Sequence, residues 1–274
     1  MDRVWAFPPR GASRHAAFSI LGGNALRGNI VLEYQPRTYR DYRDSGRFCT
    51  FRVTVETTDL YVKALCPLER ETEQLVRECR GQIEAAIARR PEFLASLTPI
   101  EEDPRDSPVA MQMIRAAAKA GTGPMAAVAG AVAEFVGRSL LALSPEIIIE
   151  NGGDIFARVD APFVCGLFAG SSPFSNRLGF KIDPTGLPVG ICTSSATVGP
   201  SRSFGRADAA VVVSYDVALA DAMATALGNR IHGYSDLRKG VEWAMTIPGV
   251  KGALAVLGDK MAVLGEIELT PVSP

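Results

Sequence analysis

Histidine is nearly absent: His15 and His232 are the only two, and neither has a metal-binding neighbour at helical spacing. A histidine-based zinc site and a serine-histidine-aspartate triad are therefore both unsupported. Cysteine is sparse as well. Cys49, Cys66, Cys79, Cys165 and Cys192 are an odd number with no C-x-x-C spacing. That argues against a disulfide framework or a zinc ribbon and makes a reducing, cytoplasmic setting the expectation. Net charge is missing too: at a formal −1 the chain has no global field to attract nucleic acid or an anionic membrane. Any anionic ligand must be held locally. No long apolar run crosses a membrane by this reading, because the most apolar window, Met125 to Leu143, is broken by Glu134 and Arg138. The start, MDRVWAFPPRG, lacks the apolar stretch of a signal peptide. Neither G-x-G-x-x-G nor a Walker lysine motif is present.

What is present is enough apolar material for a large core, 47% of 274 residues, and we expect a single domain over residues 1–274. Within it, Met1 to His15 read as a loose arm. The proline-broken stretch Pro99 to Asp106 is the best candidate for an internal boundary. Strands are expected at Asn29 to Tyr34, Phe51 to Val55 and Leu60 to Ala64, the last two as a hairpin. Pro67 to Arg90 is an amphipathic helix, and Ser107-Pro108 starts another that runs to about Ala120. Further strands follow at Pro145 to Glu150, Asp154 to Val159, Phe163 to Phe168, Leu178 to Ile182, Val189 to Cys192 and Ala207 to Ser214. A helix is expected from Ser235, with that serine as its cap, and a closing hairpin turns at Gly258-Asp259. Irregularly mixed strands, helices and hairpins indicate an α+β class rather than a doubly wound sheet.

Three stretches carry chemistry. Ser214 to Gly228 is a strand end followed by a helix of small residues in which Asp221 and Thr225 sit four apart on one face. A carboxylate above a hydroxyl is a hard oxygen pair of the kind that holds Mg²⁺ beside substrate phosphates; equally, the aspartate is solvated and the threonine bonds back to its own helix. The alanines between keep the helix surface low, so a ligand or another backbone can approach. Gly228-Asn229 reads as a left-handed stop. Asn151-Gly152-Gly153-Asp154 demands a tight turn, exposes N–H groups suited to a diphosphate, and places Asn151 and Asp154 to read a ribose or ring edge. Thr193-Ser194-Ser195 is a hydroxyl cluster at a strand end, suited to phosphate or adenine contact or to plain loop structure. Tyr39 and Tyr42 among Arg37, Arg40, Arg43 and Arg47 are an aromatic and basic surface, and Arg202 is a counter-charge for an anion.

Taken in order, Asn151-Gly152-Gly153-Asp154, Thr193-Ser194-Ser195 and Ala220-Asp221-Ala222-Met223-Ala224-Thr225-Ala226-Leu227 resemble the N/G-G-G-D, T-S-G and A-D-x-x-x-T-A-L motifs of the ApbE-like flavin transferases. Met125 to Glu134, MAAVAGAVAE, is similar to that family's G-A-I-A-K-G-Y-A-x-D helix. The resemblance spans roughly the last 150 residues. It implies an ApbE-like, T-fold-like α+β architecture of mixed or antiparallel sheets packed with helices. It also implies binding of FAD and Mg²⁺, and transfer of FMN onto a serine or threonine of a protein acceptor. On that likeness Asp221, Thr225 and the carbonyl of Ala126 would hold the metal, while Asn151, Gly152, Gly153, Asp154, Thr193, Ser194 and Ser195 would line the FAD. The chain departs from the pattern where Ala129 replaces the motif lysine, Ala131 its aromatic residue and Ser195 its glycine. No H-x-x-D-P-x-T-G segment stands between Thr193 and the last strand. Use of the same cleft for another phosphorylated cofactor of flavin or pterin type, without transfer, is the alternative. A structural or assembly role is a third. A homo-oligomer is compatible with each.

Overall fold

Strands that are apolar at successive positions, rather than at alternate ones, signal burial on both faces of a sheet. The computed structural model describes residues 46–183, 186–196 and 204–272, and its central sheet is covered in this way. The chain opens with β1 (Cys49–Val55) and β2 (Thr58–Ala64), then α1 (Glu69–Arg89), the short α2 (Glu92–Ala95) and α3 (Pro108–Ala120). A 3₁₀ turn, Pro124–Ala127, leads into α4 (Val128–Leu140). Five strands follow: β3 (Ile147–Asn151), β4 (Asp154–Arg158), β5 (Phe163–Gly166), β6 (Leu178–Ile182) and β7 (Val189–Ser194). After them come β8 (Ala209–Ser214), α5 (Val217–Arg230), α6 (Tyr234–Met245), β9 (Val250–Leu257), β10 (Lys260–Gly265) and β11 (Glu268–Pro271).

Eight strands form one sheet in the order β1-β2-β3-β4-β7-β8-β9-β10, and β11-β6-β5 form a second, with antiparallel pairing throughout the described residues. The helices cover one face of the large sheet. Ile147, Ile149, Phe156, Cys192, Ala210 and Val212 point to them, while Ile148, Ala157, Ile191, Val211 and Val213 point the other way, into a core shared with the small sheet. Alternate side chains of one strand thus feed two cores. This is the α+β architecture expected from the sequence.

The small residues of α5 let other backbones close on it. A Cβ on Gly130 of α4 would lie 2.5 Å from the Val217 carbonyl oxygen, and one on Gly190 of β7 would lie 2.8 Å from Val217 Cα. Of the two approaches that the alanines allowed, contact with neighbouring backbone is therefore realised along this side.

Several boundaries differ from expectation for identifiable reasons. Helix α5 does not stop at Gly228; it continues to Arg230 and ends at an extended Ile231. The tight approach here requires glycine at 205, where a Cβ would lie 1.9 Å from the Gly228 carbonyl oxygen, whereas a Cβ on Gly228 would meet its neighbours only at 3.6 Å or more. Helix α6 is capped by Gly233 and the Asp236 carboxylate, which accepts from the Gly233 N–H at 2.9 Å, so Ser235 is not its cap. Thr193 and Ser194 belong to β7 itself. Pro99 to Asp106 passes close to α1, where both Arg89 and Arg90 pair with the buried Asp106. The arm at Met1 to His15, the strand at Asn29 to Tyr34, Tyr39, Tyr42, Arg37, Arg40, Arg43 and Arg202 lie outside the described residues.

Glycine packing in α4 gives a direct test. A Cβ on Gly137 would meet the fully buried Phe156 ring at 2.3 Å, whereas one on Gly81 of α1 would meet nothing within 4 Å. Gly137→Ala is expected to cost about 1–3 kcal/mol through overpacking, and Gly81→Ala to gain about 0.5–1 kcal/mol from helix propensity. Thermal denaturation of the two variants should shift the midpoint in opposite directions.

Candidate functional site

Helix α4 begins after Ala127 with no side-chain cap of its own, leaving its first N–H groups to find acceptors elsewhere. Asp221 on α5 supplies them. Its Oδ2 accepts from the Gly130 N–H at 2.8 Å, and the Ala129 N–H also favours the charged form of the carboxylate. The converse arrangement caps α5. Glu134 of α4 accepts through Oε2 from Val217 at 2.8 Å and Ala218 at 3.4 Å, and Asp216 accepts from Leu219 at 3.0 Å. Each helix therefore carries the carboxylate that closes the start of the other. Glu134 is held in turn by Gln112 at 2.8 Å and by Arg138. The exchange needs Gly130, whose missing Cβ would sit 2.8 Å from Asp221 Cβ.

The glycine hairpin docks on the same corner. Gly152 and Gly153 both take positive φ, 70° and 107°, and Asn151 pairs with Asp154 across the turn. The Asn151 side-chain amide donates to the Ala129 carbonyl at 3.0 Å, tying the hairpin to the start of α4. Asp154 Oδ1 accepts from the Thr193 N–H at 3.2 Å, tying it to β7. The Cys192 thiol lies between the Asp154 carboxylate and the Val217 carbonyl, 3.6 Å from the latter. Ser194 continues along α5, its Oγ 3.6 Å from where a Cβ on Gly228 would be. Because Asp221, Thr225 and Gly228 are spaced by four and three residues, they share one helical face.

The structure thus brings Asn151, Gly153, Asp154, Thr193, Ser194 and Asp221 around the junction of α4 and α5. Ala126 lies in the 3₁₀ turn just before α4, and half-buried Thr225 one turn beyond Asp221. Ser195 follows β7 directly, and Gly152 is exposed at the hairpin tip. The solvated alternative for Asp221 is corrected: that residue is buried and hydrogen-bonded to backbone. His232 is exposed and remote in role, with its N–H donated to Asp236. Glu134 was visible in the sequence only as a charge interrupting an apolar helix. Its place at the acidic end of the helix motif was the available signal. Two cavities lie elsewhere, one of about 370 Å³ between the sheets beside Lys181, Tyr215 and Ile267, and one of about 420 Å³ beside α3 at Gln112 and Arg115.

Among the described residues, no lysine or arginine forms an ion pair with Asp154 or Asp221. Burial, then the negative charge of Asp221, hold the Asp154 carboxyl well above the usual carboxylate range. Burial pushes Asp221 up to about 7 even though the Gly130 and Ala129 N–H groups favour its charged form. The Cys192 thiol is raised by burial and by both carboxylates, which makes it a poor nucleophile. Hard oxygen atoms at this corner suit Mg²⁺ better than a soft metal. Gly130 donates to Asp221, and Ala126 lies in the 3₁₀ turn just before α4. A carboxylate offers about four acceptor sites, so capping does not exhaust Asp221. Among the described residues no three histidine, cysteine, aspartate or glutamate side chains gather as a metal cage. The set that the resemblance implies, one carboxylate, one hydroxyl and one carbonyl, would be of a different kind.

A family model described as AbpE bacteria matches residues 40–246. A UPF0280 protein of Methanocella arvoryzae is 44% identical over 220 residues, covering 80% of this chain and 89% of its own. One of Methanothrix thermoacetophila is 43% identical over 193 residues, covering 69% and 80%. Among solved structures, the flavin transferase ApbE from Vibrio cholerae superposes with a TM-score of 0.54 at 11% identity, covering 80% of this chain and 97% of its own. The apo form of the Pseudomonas stutzeri flavinyl transferase ApbE gives 0.50 at 14% identity, covering 80% and 94%. At such identities the structural likeness is one of fold.

The raised carboxylates set a pH dependence. With folded pKa values above the unfolded ones, the native state binds more protons than the unfolded chain across the interval between them, so stability falls as pH rises through it. In chelator-containing buffer the denaturation midpoint is expected to fall from about pH 5 to about pH 8, and Asp154→Asn to flatten that slope.

Proposed function

This chain belongs to the AbpE bacteria family, and on that premise we propose that it is a magnesium-dependent flavin-nucleotide protein that transfers FMN from FAD to a serine or threonine hydroxyl of a partner protein. The observation that carries the reading is the pair of buried carboxylates, Asp154 and Asp221, gathered with no counter-cation among the described residues at the junction of two helices, a glycine hairpin and a hydroxyl-bearing strand end. Buried charge of one sign is costly unless compensated, and a divalent cation compensates it. Mg²⁺ bound there would neutralise the diphosphate of FAD and the developing charge on the departing AMP.

In this reading the Asp221 carboxylate, the Thr225 hydroxyl and the Ala126 carbonyl hold the metal. Asn151 fixes the hairpin against α4, while Gly152, exposed at the tip, presents its backbone N–H toward phosphate; the Gly153 N–H is engaged inside the hairpin, donated to Glu150 Oε1 at 2.8 Å. Asp154 holds the end of β7 so that Thr193, Ser194 and Ser195 line the nucleotide. The solved neighbours named flavin transferases share the fold, which supports the class of reaction in this reading. The free cysteines and the lack, among the described residues, of a helix long and apolar enough to cross a membrane accord with a proposed cytoplasmic location.

A second reading, binding of a flavin- or pterin-type phosphorylated cofactor without transfer, is favoured by one observation. Ala129 stands where the resembled motif has a lysine, so less positive charge is available for the transferring phosphoryl group.

Asp221→Asn separates metal binding from capping, because the amide oxygen still accepts from Gly130 while the charge is lost. Quenching of FAD fluorescence by the wild-type protein is expected only with Mg²⁺, and Asp221→Asn should weaken it at least roughly tenfold with a denaturation midpoint near wild type. Asp221→Ala should lose the cap as well, at about 0.5–2 kcal/mol. A gain of one FMN in the intact mass of a candidate acceptor, with AMP released, identifies transfer; Mg²⁺-dependent binding without that gain identifies the second reading.

A further inference from the structure

Phe204 is an aromatic side chain left 59% exposed on a backbone that is tied down at successive residues. Its own N–H donates to the Asn229 side-chain oxygen at 2.8 Å. The next residue, Gly205, lies so close to α5 that a Cβ there would come within 1.9 Å of the Gly228 carbonyl oxygen. The residue after that, Arg206, donates its N–H to the Ile231 carbonyl at 2.7 Å. Phe204 is part of neither hydrophobic core. Tyr234, also exposed, lies at the turn at Gly258, where its hydroxyl would contact an added Cβ at 2.8 Å.

Its position relative to α5 gives it a use. Asn229 follows Thr225 by one helical turn and Asp221 by two, so the Phe204 backbone is anchored about 6 Å and about 12 Å along the axis from those two residues. Ser194 lies on the same stretch, against Gly228. We propose that Phe204 is the stacking wall of the nucleotide site: the planar heteroaromatic ring of a nucleotide lies on it when the phosphates lie over Asp221 and Thr225. This inference rests on the function proposed above and deepens it by naming a residue for the ring. In a flavin nucleotide a ribityl chain separates the isoalloxazine from phosphate, and in an adenine nucleotide a ribose does; both linkers bridge from one helical turn to the next. An aromatic face is attracted to either ring, and a held backbone lowers the ordering cost on binding.

The test is titration of FAD, FMN and ADP, each with Mg²⁺, into wild type, Phe204→Ala and Phe204→Trp. Phe204→Ala is expected to weaken FAD binding roughly tenfold or more at an unchanged denaturation midpoint, because the ring it removes is exposed. Phe204→Trp should restore affinity and quench bound flavin emission. Weakening of FMN but not ADP assigns the isoalloxazine to Phe204, and the reverse assigns adenine; either supports stacking. Undiminished binding of all three by Phe204→Ala overturns the stacking role and leaves the proposed function standing. Failure of the wild type to bind any of them overturns both.

Discussion

Two carboxylates exchanged between two helices hold this molecule's candidate site together. Asp221 closes α4 and Glu134 closes α5, across a contact that only a glycine at 130 permits. A helix start presents unpaired N–H groups and a partial positive charge, so an acidic group there is stabilising on both counts. When each helix provides the other's acid, neither can shift along its axis without unpairing both. The hairpin at Asn151 and the end of β7 are then referenced to that fixed junction through Ala129 and Thr193.

That arrangement also gives Asp221 two loyalties. As a cap it is structural; as a buried carboxylate near another, with no cation beside it among the described residues, it holds its proton more tightly than an exposed aspartate. The N–H groups that it caps work against that shift and favour its ionised form. The motif position at which a lysine would stand is Ala129, whose N–H favours the ionised form of Asp221.

Much of this was legible in the chain because local chemistry and fold agreed. Asn151 to Asp154 could make little but a two-residue turn, and Ser107-Pro108 is a helix start by both cap and ring. Strand β6 occupies the expected residues because its turn residues bound it. What failed were inferences in which one residue type has two physical uses. Gly228 looked like a left-handed stop but lies inside α5, and Ser235 looked like a cap but the acid after it does the capping. Strand β11 was missed because Glu268–Pro271 is short, half-exposed and paired on a single side with β6. Glu134 was read as a break in an apolar run; its partners are 83 and 84 residues away, beyond any local pattern.

Those separations bear on how the chain reaches its native state. The residues joined by the two caps are 91 and 83 apart, and strands β3 to β8 lie between them. Neither helix can be completed at its start until the intervening strands have brought the two ends together, so the junction forms late and all at once. Long-range closure of this kind slows folding and makes it cooperative. A chain interrupted before β8 would carry α4 with its leading N–H groups still unmet, its apolar flank bare and its cap not yet synthesised.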